Sequence, residues 1–272
     1  RLLVVPRDDS PFRDAHFTDL AGLPAPGDLL VLNSTRVRHA RLPGTRPSGG
    51  PAEVLLIHPG QGDTWIAMGK PGTAMRPGKR IALAGGIEVE TIEVLPDGHR
   101  VVRFLGGTAE DAMRQVGQLP LPPYITHIAG PEDELRYQTV YARREGSVAA
   151  PTAGLHFTTG LLDQLRARGV RVGELDLEVG PGTFKPVETG DLDEHVMHAE
   201  RFEIPAELAR AVAYVRSAGG RVWAVGTTVV RALESAAGND GRVNPGIAET
   251  AIFIRPGYRF RVVDALVTNF HL

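Results

Sequence analysis

Residues 205–235 read PAELARAVAYVRSAGGRVWAVGTTVVRALES. Pro205 opens a helix, since its fixed φ suits a first helical position, and Gly219 closes it, since glycine adopts the left-handed backbone that ends helices. RVWAVGTT, short and apolar, reads as a buried strand, and TVVRALES starts another helix. Just upstream, TTGLLDQLRARG is an amphipathic helix stopped by Gly169, and VRVGELDLEVG is the strand after it. Helices and strands in alternation predict an α/β fold, with a mostly parallel sheet and flanking helices.

Further upstream the texture changes. AEVLLIH, DTWIAM, KRIALA, GIEVETIEV and HRVVRFL between Ala52 and Leu105 are short β-rich runs separated by Gly- and Pro-containing turns. Such spacing predicts a small antiparallel barrel. TAEDAMRQVG then reads as a helix with Thr108 as its N-cap and Glu110 and Asp111 in the first turn. PLPPYI cannot be helical because of Pro120, Pro122 and Pro123. The expected organisation is a discontinuous α/β catalytic domain from residues 1–45 and 148–272, an inserted β-barrel domain over 46–110, and a connector over 111–147.

Composition narrows the chemistry. The chain of 272 residues is 42% hydrophobic and 23% charged, ordinary values for a globular protein. It contains no cysteine, which excludes disulfides, thiolate metal sites and cysteine nucleophiles and fits a reducing cytoplasm. No apolar run reaches the length needed to cross a bilayer, and the first residues do not resemble a signal peptide, so a cytoplasmic, membrane-free protein, and a monomer, is expected. Arg1 opens without a methionine and Leu272 closes on an apolar residue, which points to a longer natural chain. A formal net charge of −2 means that any polyanion must be met by a local basic patch.

The candidate chemistry lies in loops at strand ends. Gly226, Thr227 and Thr228 stand between a strand and a helix, where free N–H groups suit a carboxylate or phosphate; the alternative is Thr228 as a plain N-cap with Arg231 pairing locally. EVGPGTFKPV carries Gly180 and Gly182, either a ligand cradle or a simple turn. HVMHAE gathers His195, His198 and Glu200, which fit proton transfer, a metal site, or a helix start bonded to a neighbouring loop. In APTAGLHFT, His156 lies on a loop beside Phe157. Arg36, Arg38 and Arg41 form a basic cluster, to which Lys185 adds, and these suit phosphates or a solvated strand face. Tyr258 and Phe260 could stack on a base or pack in the fold.

Taken in order, LLVLNSTRVRHARLPG, PLPPYI, RYQTVYA, APTAGLHFT, VGPGTFKPV, HVMHAE, VGTTVVRALES and PGYRFRVVDALVTNFHL resemble the bacterial S-adenosylmethionine:tRNA ribosyltransferase-isomerase family of queuosine synthesis. The resemblance is dense over residues 148–272, clear over 28–44 and faint in the β insertion. It implies transfer of the ribosyl group of S-adenosylmethionine to 7-aminomethyl-7-deazaguanine at the wobble position of a tRNA. Rearrangement then gives epoxyqueuosine-tRNA, with release of adenine and methionine. S-adenosylmethionine is a cosubstrate in this scheme, and no metal is implied. Proton transfer is assigned to His195, His198 and Glu200, with His156 and His271 behind them. Gly180, Gly182, Thr183, Thr227, Thr228 and Arg231 are expected at the cosubstrate, and Arg36, Arg38, Arg41, Lys185 and Tyr258 at the RNA. The chain departs from the family pattern at Glu178, where a histidine is usual, and at Ser34, where aspartate is frequent. Two rivals are a metal-dependent hydrolase centred on HVMHAE and a non-catalytic RNA-binding module; a related transferase with another acceptor is a third reading.

Overall fold

The computed structural model describes residues 1–122, 124–180 and 199–269. A hairpin of β1 (Leu2–Val4) and β2 (Arg13–Ala15) precedes β3 (Leu29–Asn33), the centre of the main sheet, and β4 (Thr35–Val37). Next come β5 (Arg41–Thr45), β6 (Pro51–Pro59), β7 (Thr64–Lys70), β8 (Arg80–Ala82), β9 (Glu88–Val94) and β10 (Arg100–Leu105), which close a barrel in the order β10-β7-β6-β5-β8-β9, antiparallel at every pairing. Then follow α1 (Ala109–Val116), α2 (Pro131–Arg136), β11 (Arg144–Ser147), α3 (Thr159–Ala167), β12 (Arg171–Leu177), β13 (Glu200–Ile204), α4 (Ala206–Ser217), β14 (Val222–Val225), α5 (Thr227–Ala236), β15 (Gly246–Thr250) and β16 (Ala265–Val267).

The main sheet runs β15-β13-β12-β3-β14-β16. β12, β3, β14 and β16 are mutually parallel, and only β13 runs against its neighbours. All five residues of β3 are buried, as expected for a strand covered on both faces. Alternation along the strands builds two cores. Leu29, Val31, Leu175, Leu177, Val222 and Ala224 face α4 and α5, while Leu30, Leu32, Trp223 and Val225 face α3 and Phe157. The expected α/β sheet with flanking helices and an antiparallel barrel is therefore the observed architecture.

Thr108 caps α1 as expected: its hydroxyl accepts the Asp111 N–H at 3.1 Å, and the Asp111 carboxylate accepts the Thr108 N–H in return. The barrel takes in Arg41–Thr45, ahead of the expected boundary at residue 46, because β5 pairs with both β6 and β8. Ala109 and Ala112 of α1 pack into the barrel core. At the end of the connector, β11 pairs in parallel with β4. Thr228 is not an N-cap: Gly226 holds that place and the helix begins at Thr227.

Candidate functional site

The carboxyl ends of β3, β12, β14, β15 and β16 and the amino end of β13 share one rim of the sheet. In open α/β sheets that rim is where ligands sit, because the loops leaving it are free of the hydrogen-bond ladder. The NST turn is part of its frame. Asn33, fully buried, donates to the Leu177 carbonyl at 3.0 Å and accepts the N–H groups of Leu177 and Thr35. Ser147 accepts the Val179 N–H at 2.7 Å and shares a hydrogen bond of 2.8 Å with Thr35. These bonds set the position of the segment from Glu178 to Gly180. Gly146 is part of the fit, since a Cβ there would lie 2.9 Å from Cγ of Glu178.

Glu200 opens β13 rather than a helix. It is buried, with one carboxylate oxygen accepting the Gly180 N–H at 3.2 Å and the other paired with Arg231. Arg231 also donates to the carbonyls of Ile252 and Thr250, both at 3.2 Å. So bonded, Glu200 and Arg231 hold the rim together. Glu200, expected in proton transfer, and Arg231, expected at the cosubstrate, are thus bonded to each other and to the backbone of the rim.

A second group lies across the sheet. Gly226 has φ of +89°, a conformation only glycine adopts readily, and it brings the start of α5 to the rim. No side chain caps this helix, and the Thr228 hydroxyl is buried without a hydrogen-bond partner among the described residues. Thr227 is exposed beside it. The site of a Cβ on Gly226 is 3.8 Å from Ala153, in the turn that carries His156. His156 Nε2 is 3.2 Å from Asn269 Oδ1, just beyond β16, and its ring lies 5.3 Å from that of Phe17. APTAGLHFT, VGTT and the start of TNF thus meet on one side, and EVG, Glu200 and the end of β15 on the other, with α5 reaching both.

Of the expected RNA contacts, Arg36 is exposed near Glu145. Arg38 is buried, donates to the Gly146 carbonyl at 2.6 Å and stacks over Trp65 of the barrel at 5.4 Å. A guanidinium held this way ties the barrel to β11. Arg41 donates to the Leu121 carbonyl at 3.2 Å and approaches Glu53 at 3.6 Å, so it is largely used within the fold. The Tyr258 hydroxyl donates to Glu234 at 3.3 Å, which makes this ring an anchor. Gly182, Thr183, Lys185, His195, His198 and His271 lie outside the described residues.

Where barrel and rim face each other there is a cleft of about 290 Å³, lined by residues 57–59 on the barrel side and by Glu178, Gly180, Glu200 and Arg201 on the other. His58, Arg201 and Asn269 escaped the sequence reading as site residues. Asn269 lies within VTNFHL, whereas His58 carries no local signal, since only the docking of the barrel brings it to the rim. The family model described as queuosine biosynthesis protein matches residues 1–272. This chain belongs to that family.

Within the queuosine biosynthesis family, the chain is 52% identical over 275 residues to the S-adenosylmethionine:tRNA ribosyltransferase-isomerase of Symbiobacterium thermophilum, across 100% of this chain and 80% of that protein. It is 47% identical over 276 residues to the enzyme of the same name from Natranaerobius thermophilus, with the same coverage. It is also similar to the crystal structure of an S-adenosylmethionine tRNA ribosyltransferase from Thermotoga maritima, at 28% identity and a TM-score of 0.48, over 99% of this chain and 76% of that one. Glu178, where the resemblance led us to expect histidine, is paired with Arg201 at 3.6 Å. Among the described residues no group of three or more His, Asp or Glu could hold a metal ion, and no helix is long and apolar enough to cross a membrane.

Proposed function

We propose that this protein is an S-adenosylmethionine:tRNA ribosyltransferase-isomerase. It transfers the ribosyl moiety of S-adenosylmethionine to 7-aminomethyl-7-deazaguanine at the wobble position of tRNA and rearranges it to the epoxide of epoxyqueuosine. Family membership along the whole chain supports this reading. So does the rim itself, where a helix start and a buried hydroxyl, both without a side-chain partner among the described residues, come together with a histidine.

The N–H groups at the start of α5, with Thr227 and Thr228, suit the carboxylate of the methionyl part, because a helix N-terminus offers unpaired donors and the positive end of its dipole. The sulfonium acidifies the adjacent 5′ carbon, so a base can take a proton there before adenine leaves and the aminomethyl nitrogen attacks. His156, in contact with Asn269 and Phe17, is assigned a proton-transfer step in this reading. A positioned acid or base contributes about 10²–10⁴-fold. His195, His198 and His271 remain candidates for the remaining steps on the resemblance alone. Glu200 and Arg231 act by keeping Gly180 and the end of β15 in place.

The test is incubation with S-adenosylmethionine and tRNA carrying the deazaguanine precursor, followed by nucleoside mass analysis. Adenine release together with the epoxide nucleoside is expected. Adenine release without a modified nucleoside would assign a different acceptor.

A further inference from the structure

The segment between β15 and β16 carries a surface that the catalytic rim does not use. Residues 251–263, AIFIRPGYRFRVV, contain Arg255, Arg259 and Arg261 and no acidic residue, although the chain as a whole has a net charge of −2. All three arginines are exposed. Arg216 of α4 donates to the Val262 carbonyl at 3.0 Å and adds a fourth positive group at this place. Between the arginines, Phe260 keeps 51% of its surface exposed while its ring meets that of Tyr258 edge-on at 5.1 Å.

What holds this segment is a buried carboxylate. Glu234 of α5, 2% exposed, accepts the N–H groups of Arg261, Val262 and Val263 at 2.9, 3.0 and 2.9 Å, and the Tyr258 hydroxyl at 3.3 Å. Burying a carboxylate is costly unless every lone pair is used, and here they are spent on fixing a surface segment of irregular backbone. The result is an aromatic face held rigid, flanked by guanidinium groups. Such a face binds single-stranded nucleic acid, with bases stacking on the ring and phosphates meeting the arginines. The anchor also sets the distance to the rim. Glu234 lies seven residues along the same helix from Thr227, about 10 Å at the helical rise, and Asp264, next along the chain, bonds to Val222 at the start of β14, so the segment lies toward the end of the sheet opposite the rim.

We propose that the Tyr258–Phe260 pair and its arginines form a docking surface for anticodon stem-loop nucleotides away from the modified one, Phe260 stacking on a base and Arg259 contacting a phosphate. This rests on the tRNA-modifying reading above and adds where the strand is held. The experiment measures tRNA-dependent adenine release and tRNA binding across a salt series for wild type, Phe260→Ala, Phe260→Trp and Arg259→Gln, with thermal melts to establish that each variant is folded. Loss of one stacked base is expected to raise KM for tRNA about tenfold in Phe260→Ala, with KM for S-adenosylmethionine and kcat at saturating tRNA unchanged. Phe260→Trp should restore KM. Arg259→Gln should make the salt dependence shallower by about one phosphate contact. If wild type is active and neither Phe260→Ala nor Arg259→Gln changes KM for tRNA or the salt slope, the docking assignment is overturned while the reaction stands. A wild-type protein that consumes no S-adenosylmethionine with precursor tRNA overturns the reaction, and the docking surface with it.

Discussion

Arg231 of α5 closes on the carboxylate of Glu200 at the start of β13, and the other oxygen of that carboxylate accepts the N–H of Gly180, just past the end of β12. Two strand ends separated by twenty positions in sequence are thereby joined to a helix and, through the carbonyls of Thr250 and Ile252, to the end of β15. Both side chains are nearly closed to solvent, at 12% and 8% exposure, so the charges are not screened by water.

Removing one partner strands the other. Glu200→Ala should lower unfolding free energy by about 3–5 kcal/mol, since a buried guanidinium is left without its counter-charge. The Glu200→Ala/Arg231→Met double variant should be less destabilised than the sum of the two singles. Urea titrations of the four proteins in a double-mutant cycle measure this coupling.

Thr228 separates function from stability. Its hydroxyl is buried and without a partner among the described residues, so Thr228→Val removes an unsatisfied group while keeping the shape. The melting temperature should stay level or rise, and KM for S-adenosylmethionine should rise about tenfold if one hydrogen bond to the cosubstrate is lost. An unchanged KM would remove this hydroxyl from the cosubstrate site.

Gly154 is demanded by packing. A Cβ there would overlap the hydroxyl of Tyr141 and lie 2.9 Å from Cγ2 of Thr139. Gly154→Ala should destabilise by about 1–3 kcal/mol, the usual cost of overpacking. Adding Tyr141→Phe should recover part of that loss, since it removes the overlapping oxygen and leaves Thr139. Differential scanning calorimetry of the three variants tests the pair.

At the opposite end of the sheet, burial pushes the Asp28 carboxyl upward, but the backbone N–H groups of Arg221 and Ala25 and the side chains of Trp223 and Arg221 outweigh it, holding the group below the ordinary carboxylate value. A folded-state pKa below the unfolded one means stability that is fully present above about pH 4 and is lost as the pH falls through the folded value. Thermal melts of wild type should decline in that acid range, whereas Asp28→Asn should melt lower at neutral pH and decline less steeply.

Much of the fold was legible because its signals are local. Gly169 and Gly219 both take left-handed backbone where the helix ends were read. Thr108 caps where a threonine followed by an acidic turn says it should. The repeated short runs between Ala52 and Leu105 became barrel strands because alternation and turn residues are written within each run. The barrel's first strand was missed, since RLPGT has little apolar content and joins only through its partners β6 and β8.

The site was legible as a set of loops and not as a set of roles. Order of motifs along the chain determined the family, and glycines at strand ends located the rim, because backbone freedom and hydrophobic periodicity are properties of neighbouring residues. Which polar groups are free was decided by the tertiary structure alone. Arg38, Arg231, Glu200 and Tyr258 have the chemistry for phosphate, carboxylate, proton or base, yet each is taken up by a partner distant in sequence. A side chain's availability depends on the partners that folding brings within about 3 Å and on the water it excludes, and neither is encoded in the residue's own neighbourhood.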